Sequence, residues 1–469
     1  MSPAPDAILD LTVAEMADRI RAGETTPTAL AEGALARIGR LDPKLNAFVT
    51  ITREIALEQA SAAERELAAG RDRGPFHGIP YGAKDLVATA GVRTTWGASV
   101  YKDRVFDADA TVVRKMREAG AVLLGKCAMI ELAGGLNYDV ASASLTGAAR
   151  NPWNTDRWTC GSSSGSGAAV AARLLPAAIG SETWGSIVCP SSFCGITGLR
   201  PTYGRVSRKG AMALSWTMDK LGPMARTAED CELMLEAMAG HDPDDPTSIQ
   251  EPLGRRLDLT EASRLRVGIF RLEKPEKGDP ALWEAFETAL EGLRRAGVKP
   301  EEVKLPELPM EEAAWVIIVA EGAAAFESLF DGGRIREMAD PGAPLAYPAS
   351  KLVRATDYLK AMRIRTAAQR AFADHFSRWD AIVSLGLPFT ASPVEGKLSD
   401  HFSGSDPMGG SGNLCGLPGL SVPCGFGSDG LPASMVIMSG AFEERKALAL
   451  GRLFQSVSDW HTRKPPLAS

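Results

Sequence analysis

The 469-residue sequence predicts an α/β fold: a single domain built on a largely buried, mixed β-sheet that is flanked by α-helices. The main observation lies in residues 74–205, where short apolar runs alternate with helical segments and Gly, Ala and Ser dominate. Alternating strands and helices are typical of a buried, largely parallel sheet. Apolar residues make up 45% of the chain, enough for one large core. No internal repeat divides the chain, so we expect one domain over residues 1–469.

The N-terminal part, residues 1–70, is predicted to form an outer helical layer. Thr12 and Glu15 have the spacing of a capping box, which opens a first helix. Thr26 precedes Pro27, and an N-cap residue followed by proline at the first helical position starts a second helix. A third, charged helix follows and completes the layer.

The stretch after this layer is expected to contain a chemical site. Small residues in tight turns allow the backbone to approach a ligand closely, and they are frequent here. Strands are predicted at 78–86, 121–124 and 177–179, and helices at 111–119 and 164–174.

The second half of the chain continues the alternation. A polar, turn-rich stretch at 241–257 is typical of a surface connection. Residues 250–400, which are mostly helical, are expected to form a variable region that faces the substrate. Strands are predicted at 266–270, 298–303, 381–384, 420–423 and 433–438, and helices at 281–296, 309–330, 350–378 and 443–457.

Composition and charge argue against several functional classes. The formal net charge of −6 is unlike that of a nucleic-acid-binding protein. No apolar run reaches the roughly 18 residues that a membrane span needs, and the N-terminus lacks the features of a secretory signal. We therefore expect a cytoplasmic protein with neither nucleic acid nor membrane as a partner.

Cysteine and histidine usage bears on redox state and on metals. Seven cysteines, an odd number without a CxxC pair, favour reduced and mostly buried thiols over disulfides or zinc. The five histidines are scattered along the chain, which argues against a histidine-based metal site.

The serine-rich run GSSSG at 161–165 is the first piece of sequence that could carry chemistry. It formally matches the GxSxG nucleophile elbow with Ser163 as nucleophile, but no apolar strand precedes it. It also resembles a phosphate-binding loop, although the lysine and the strand that such a loop needs are missing. A turn that caps a helix is the plainest alternative.

Two further pieces each centre on one residue. The turn at 180–186 follows a short strand and ends on Ser186, and consecutive backbone N–H groups in such a turn can hold an anion. Lys84 interrupts a small, apolar run, so it either extends to solvent or is buried. A buried lysine loses its proton easily and can act as a base near neutral pH.

Taken together, these pieces resemble the amidase signature family. The resemblance is dense over residues 78–230, inside a predicted signature core at 74–230, and thin over 250–400. The order and spacing of the lysine, the serine-rich loop and the downstream serine are specific to this family. The matching segments are GIPYGAKDL (78–86), GAVLLGKCAMIELA (120–133), NPWNTDRWTCGSSSGSGAAVAA (151–172), GSETWGSIVCPSSFCGITGLRPTYGRVSR (180–208), LGPMARTAED (221–230), CGLPGLSVPCGF (415–426) and GLPASMVIM (430–438).

The resemblance implies a Ser–Ser–Lys triad that uses no metal and no organic cofactor. Lys84 has the position of the base, and Ser186 that of the nucleophile. Ser162 has the position of the bridging serine, whose peptide bond is cis in the family. Ser163 is expected to support Lys84. The oxyanion hole is expected in the backbone N–H groups of Thr183, Trp184, Gly185 and Ser186.

The chain departs from the common family pattern at three positions. Cys160 stands where many members have glycine, and Val188 where many have arginine. Without that arginine, Glu182 is expected to bond to backbone donors. Trp184 replaces a frequent glycine, and it either forms an apolar wall of the acyl pocket or packs away from it. The resemblance also suggests substrate contacts at Met129, Leu136 and Tyr138.

The implied function is a serine amidohydrolase that cleaves the C–N bond of small amides through an acyl-enzyme on Ser186. Trp184 favours aryl or apolar amides and carbamates (urethanes), on which the protein would act without another subunit type, as a monomer or a homodimer. The alternative is the glutaminase (A-type) subunit of a tRNA-dependent amidotransferase, which GLRPTYGRVSR (198–208) resembles but residues 300–400 do not. A third hypothesis is a binding protein that keeps the fold without the chemistry.

Overall fold

The computed structural model describes residues 5–135, 138–275, 278–402 and 406–468. These residues form an α/β domain with a large mixed sheet between helices, which confirms the predicted fold class. The helices α1 to α16 are Pro5–Ile8, Val13–Arg21, Pro27–Leu45, Arg53–Ala68, Thr111–Glu118, Ser164–Ala171, Val188–Cys194, Ala228–Met238, Leu259–Ser263, Pro280–Arg295, Met310–Ala325, Glu327–Asp331, Ala343–Ser350, Ala355–Arg378, Pro407–Cys415 and Glu444–Ser456. The strands β1 to β13 are Phe48–Ile51, Pro80–Lys84, Val122–Cys127, Arg150–Asn151, Asn154–Trp158, Ala177–Glu182, Thr197–Arg200, Lys220–Ala225, Val267–Ile269, Glu301–Glu302, Ala381–Leu385, Gly419–Phe426 and Pro432–Ser439.

Eleven of these strands form one sheet, in the order β1-β3-β2-β6-β8-β7-β12-β13-β11-β9-β10. β2 runs parallel to β3 and to β6, and β9 runs parallel to β10 and to β11. All other neighbours are antiparallel, so the sheet is mixed. Every residue of β2, β3, β6 and β8 is buried, because helices cover both faces of the sheet in this region.

The N-terminal helices begin where the sequence predicts. The Thr12 hydroxyl accepts a hydrogen bond from the Glu15 amide, and the Glu15 carboxylate accepts one from the Thr12 amide, so the capping box is confirmed. Thr26 caps α3 by accepting from the Ala29 amide, with Pro27 at the first helical position. Among the helices of the described residues, none is both long and apolar enough to cross a membrane.

Several elements were not predicted from the sequence: β1, β7, β8, α7, α8 and α15. β8 has the sequence KLGPMA, and a Gly-Pro pair is typical of a turn. It is nevertheless a buried strand between β6 and β7, because its position inside the sheet outweighs local propensity. The strand predicted at 298–303 shrinks to β10, Glu301–Glu302, which is exposed at the edge of the sheet.

The ends of three neighbouring strands, β2, β6 and β8, meet at one end of the sheet. β2 and β6 are parallel, so their carboxyl ends, which carry Lys84 and Glu182, lie side by side. β8 is antiparallel to β6, and its first residue, Lys220, is directly opposite Glu182. In parallel regions of α/β sheets, ligands bind at the carboxyl ends of strands, so we expect a site at this end of the sheet.

Candidate active site

Lys84 is at the centre of a buried group of hydroxyls. Its side chain is 0% exposed, and its Nζ is hydrogen-bonded to Ser162 Oγ at 2.7 Å and to Ser163 Oγ at 2.9 Å. A third bond goes to Ser181 Oγ at 2.9 Å. Burial lowers the pKa of Lys84 well below its usual range, because the charged amine loses its hydration. The expected neighbourhood of Lys84, Ser162 and Ser163 is therefore present.

Hydrogen bonds to β6 hold the serine-rich loop between β5 and α6 in place. The peptide bond between Gly161 and Ser162 is cis, as the resemblance implies. Ser163 Oγ donates to the Ser181 carbonyl and accepts from the Ser181 amide, both at 3.2 Å, which ties the loop to β6. A side chain at Gly161 would come within 2.7 Å of the Tyr138 hydroxyl, so glycine is required where the loop passes this ring.

Ser186 ends the turn that links β6 to α7. Gly185 has a φ of 80°, a left-handed conformation that favours glycine and forms the turn. Within the described residues, the N–H groups of Trp184, Gly185 and Ser186 have no hydrogen-bond acceptor, so they can donate to a bound group. The Ser163 amide donates to the Ser186 carbonyl at 3.3 Å, which links the two serine loops.

In the structure, Lys84 is hydrogen-bonded to Ser162, and Ser186 lies in the turn next to the serine-rich loop. Among the described residues, no hydrogen bond connects the Ser162 and Ser186 hydroxyls. Ser186 is buried, with 8% of its surface exposed, and it follows the partly exposed Trp184 and Gly185.

The Glu182 carboxylate anchors the turn that leads from β6 into α7. Its Oε2 accepts from the Ile187 amide at 2.8 Å and the Val188 amide at 2.9 Å. The expected backbone donors are therefore confirmed. Its Oε1 accepts from Arg200 Nη1 at 3.0 Å and from Asn413 Nδ2 at 2.8 Å, two partners that the sequence analysis did not identify. One carboxylate thus fixes the start of α7 relative to β7 and α15.

The charges around Glu182 are balanced inside the protein. Burial alone would raise the pKa of Glu182, but the charges of Arg200 and Lys220 lower it to about 2. Lys220 is itself buried, which lowers its pKa well below the usual range, and it donates to Asn413 Oδ1 at 2.7 Å. Asp219 accepts from Thr183 Oγ1 at 2.6 Å and so holds the first residue of the turn. The sequence offers one signal for these residues, a charged pair next to the apolar run of β8.

Trp184 points toward α15. Its Nε1 donates to Asp406 Oδ2 at 2.9 Å, and a side chain at Gly410 would meet the indole ring at 3.2 Å. Burial raises the pKa of Asp406 to about 6, which the bond from Trp184 opposes. The ring remains partly exposed and packs on an apolar cluster that includes Met310 and Ile317.

The three predicted substrate contacts differ in their surroundings. Met129 is 0% exposed and packs in the main apolar core. Tyr138 is partly exposed, lies beside Gly161 and makes an edge contact with Trp158 at 5.9 Å. Leu136 is outside the described residues.

A cavity of about 220 Å³ lies beside the Lys84 group. Its inner wall includes Ser181, Thr183 and Asp219, and its outer part includes Lys209 and Trp216. Ser181 is the link, because its hydroxyl also accepts the hydrogen bond from Lys84.

Two of the cysteines form a disulfide, which corrects the prediction of reduced thiols. Cys160 and Cys189 are bonded, with their Cα atoms 5.9 Å apart. The other five cysteines are free and buried, as predicted. The sequence did not reveal the bond because the two residues are 29 positions apart, and only the fold brings their loops together.

Comparisons with known proteins show which family the chain resembles in sequence and fold. The sequence matches the model of the Amidase family over residues 29–448. It is 40% identical to the A-type subunit of glutamyl-tRNA(Gln) amidotransferase from Methylococcus capsulatus, over 97% of this chain and 98% of that protein. The structure is similar to the peptide amidase of Stenotrophomonas maltophilia, with 32% identity, a TM-score of 0.85, and coverage of 97% of this chain and 98% of the other. It is also similar to the A-type subunit of glutamyl-tRNA(Gln) amidotransferase from Thermotoga maritima, with 30% identity, a TM-score of 0.80, and coverage of 96% and 95%.

The fold and the buried lysine–serine group define a serine amidohydrolase, an enzyme that acts on carbon–nitrogen bonds. The chain belongs to the amidase signature family.

Proposed function

We propose that Ser186 is the nucleophile and that Ser162 and Lys84 move the protons. Neutral Lys84 accepts the proton of Ser162, which accepts the proton of Ser186 as Ser186 Oγ bonds to the substrate carbonyl carbon. The N–H groups of the turn at 183–186 stabilise the resulting oxyanion. The proton on Lys84 then returns through Ser162 to the leaving nitrogen, and the C–N bond breaks to leave an acyl-enzyme.

Hydrolysis of the acyl-enzyme follows the same route in reverse. A water molecule gives its proton to Ser162 as its oxygen bonds to the acyl carbon. Ser162 passes its own proton to Lys84, and this proton then returns through Ser162 to Ser186 Oγ as the bond from Ser186 to the acyl carbon breaks and the acid is released.

The burial of Lys84 is the observation that carries this proposal. Within the described residues, its Nζ bonds to three hydroxyls and one carbonyl oxygen and to no carboxylate. Hydroxyls do not neutralise a buried charge, so the amine is favoured in its neutral form and can accept a proton.

Sequence similarity favours a primary amide such as glutamine as the substrate. The relative from Methylococcus capsulatus is named as a subunit of glutamyl-tRNA(Gln) amidotransferase, and this chain matches 98% of it. On this proposal, the chain releases ammonia from glutamine and acts together with other subunits. The comparisons support this substrate class better than the next one.

An aryl or apolar amide or carbamate is the second candidate, and Trp184 favours it. The indole adjoins the proposed oxyanion site and continues into an apolar cluster that contains Val188, Met218 and Met310. A flat apolar group would lie against this surface. Much of the cluster comes from residues 250–400, which supports the proposal that this region faces the substrate.

A hydrolysis panel separates the two candidates. Purified protein alone is tested with glutamine, a primary aliphatic amide, a nitroanilide and an aryl carbamate, each beside Ser186→Ala. Ser192→Ala is a matched control, because Ser192 lies on α7 and bonds to Ser434 rather than to Lys84. Turnover of the aromatic substrates supports an aryl amidase or urethanase. Turnover of glutamine only, or only after partner proteins are added, supports the role in an amidotransferase.

Labelling with a fluorophosphonate tests whether the protein is an enzyme at all. Labelling that is lost in Ser186→Ala and kept in Ser192→Ala supports the proposed nucleophile. A folded wild type that takes no label would favour the binding-protein hypothesis instead. The cytoplasmic location, the homodimer and the lack of nucleic-acid or membrane partners stay predictions.

A further inference from the structure

The disulfide joins the two loops that carry the reacting serines. Cys160 is two residues before Ser162, and Cys189 is three residues after Ser186. The backbone bond between the loops, from Ser163 to Ser186, is long at 3.3 Å. The covalent bond is therefore the firmest direct connection between the serine loops.

The distance between these loops matters for the proposed reaction. Proton transfer between the Ser162 and Ser186 hydroxyls requires a separation of about 2.6 to 3.2 Å. Lys84 fixes Ser162, whereas Glu182 holds the start of α7 next to Ser186. These two anchors belong to different strands, and a displacement of about 1 Å between reacting groups can cost about 100-fold in rate.

The backbone at Cys160 gives a second, independent indication. Its φ is 66°, a left-handed conformation that costs a residue with a side chain roughly 1 to 2 kcal/mol and costs glycine almost nothing. A cysteine in this conformation contributes what glycine could not, a bond to the loop of Ser186. The bond also closes a loop between cysteines that are 29 positions apart, and this loop includes both serines.

We propose that the Cys160–Cys189 disulfide is a positioning element that sets the spacing of Ser162 and Ser186. This inference rests on the proposed function. A protein without the bond keeps its fold and its substrate affinity but loses turnover, because the two serine loops can move apart and their hydroxyls reach the transfer distance less often.

Variants of both cysteines test this proposal on whichever amide the wild type hydrolyses. Cys160→Gly suits the backbone conformation at that position, and Cys189→Ala removes the other sulfur. We expect kcat to fall about 10- to 100-fold in each, with KM within twofold. The double variant should lose no more than either single variant, because one bond accounts for both effects. Cys424→Ala is the matched control, since Cys424 is a free, buried thiol on β12.

Reduction of the folded wild type provides a test that needs no substitution. Dithiothreitol converts the S–S bond to two thiols and is itself oxidised to a cyclic disulfide. The remaining cysteines are already free, so the loss of kcat reports on this bond. The same fall in kcat should appear on reduction, reverse on reoxidation, and be absent in Cys160→Gly.

The outcomes separate this inference from the function on which it rests. Unchanged kcat in an active double variant whose unfolding midpoint falls would mean that the bond only stabilises the fold, and would overturn the inference alone. An oxidised wild type that hydrolyses no amide and takes no fluorophosphonate label would overturn the proposed function as well.

Discussion

Replacing Glu182 with glutamine should destabilise the protein by about 3 to 5 kcal/mol at neutral pH, the usual cost of breaking a buried ion pair. Glu182 and Arg200 are both 1% exposed or less, and their side chains are 3.0 Å apart. Glutamine has nearly the same shape but no charge, so the Arg200 guanidinium loses its counter-ion. The amide also presents a donor group where Glu182 accepts from the Ile187 and Val188 amides or from Asn413.

The pH dependence gives a second measure of the same interaction. The pKa of Glu182 is about 2 in the folded protein, against an ordinary value of 4.5, a difference worth about 3 kcal/mol. Because folding lowers this pKa, the stabilisation is fully present above pH 4.5 and is lost as the pH falls toward 2. The difference in stability between wild type and Glu182→Gln should therefore shrink over this range.

Guanidinium denaturation followed by tryptophan fluorescence measures both effects. Glu301→Gln is the control, because Glu301 is exposed on β10 and its change should stay within about 0.5 kcal/mol. Equal midpoints for wild type and Glu182→Gln at pH 7 would refute the reasoning. A difference that stays constant from pH 5 to pH 2 would show that the carboxylate charge is not its source.

Three further predictions concern catalysis. Lys84→Met, which keeps an apolar chain of similar length, should lower kcat at least ~100-fold without changing the unfolding midpoint much, and retained activity would contradict the proton route. Because burial lowers the pKa of Lys84 and the neutral amine is the base, kcat/KM should rise with pH and then level off, whereas a steady fall from pH 6 to 9 would exclude a neutral lysine. Trp184→Ala should raise KM for aryl substrates about tenfold, equivalent to ~1.4 kcal/mol of aromatic contact, and leave glutamine unaffected. Trp184→Phe, which keeps a ring but loses the bond to Asp406, shows whether ring or hydrogen bond matters.

The sequence predicted local features best. The caps of α2 and α3 depend on residues three positions apart, so they can be recognised without the fold. The lysine, the serine-rich loop and Ser186 could be placed by motif, and the fold then brought Lys84 and Ser162 into contact.

The support of the site could not be predicted in the same way. Asn413 is 231 positions from Glu182, and Arg200 belongs to β7, which itself was not predicted. The disulfide was missed for the same reason, since cysteine spacing does not show which loops meet. Contacts of this kind depend on strand order, and a single sequence shows neither strand order nor which residues vary together.

The positions of Asn413, β12 and β13 determine when a newly synthesised chain can complete its fold. β12 and β13 lie between β7 and β11, so the middle of the sheet is completed by strands that are synthesised after all the other described strands. Until then Glu182 lacks Asn413, and the open sides of β7 and β11 can pair with other chains. A nascent or truncated chain that ends before β12 therefore contains Lys84, Ser162 and Ser186 but leaves the sheet incomplete between β7 and β11. We therefore expect amidase activity only in chains that extend through β13, and aggregation of shorter chains through the open sides of β7 and β11.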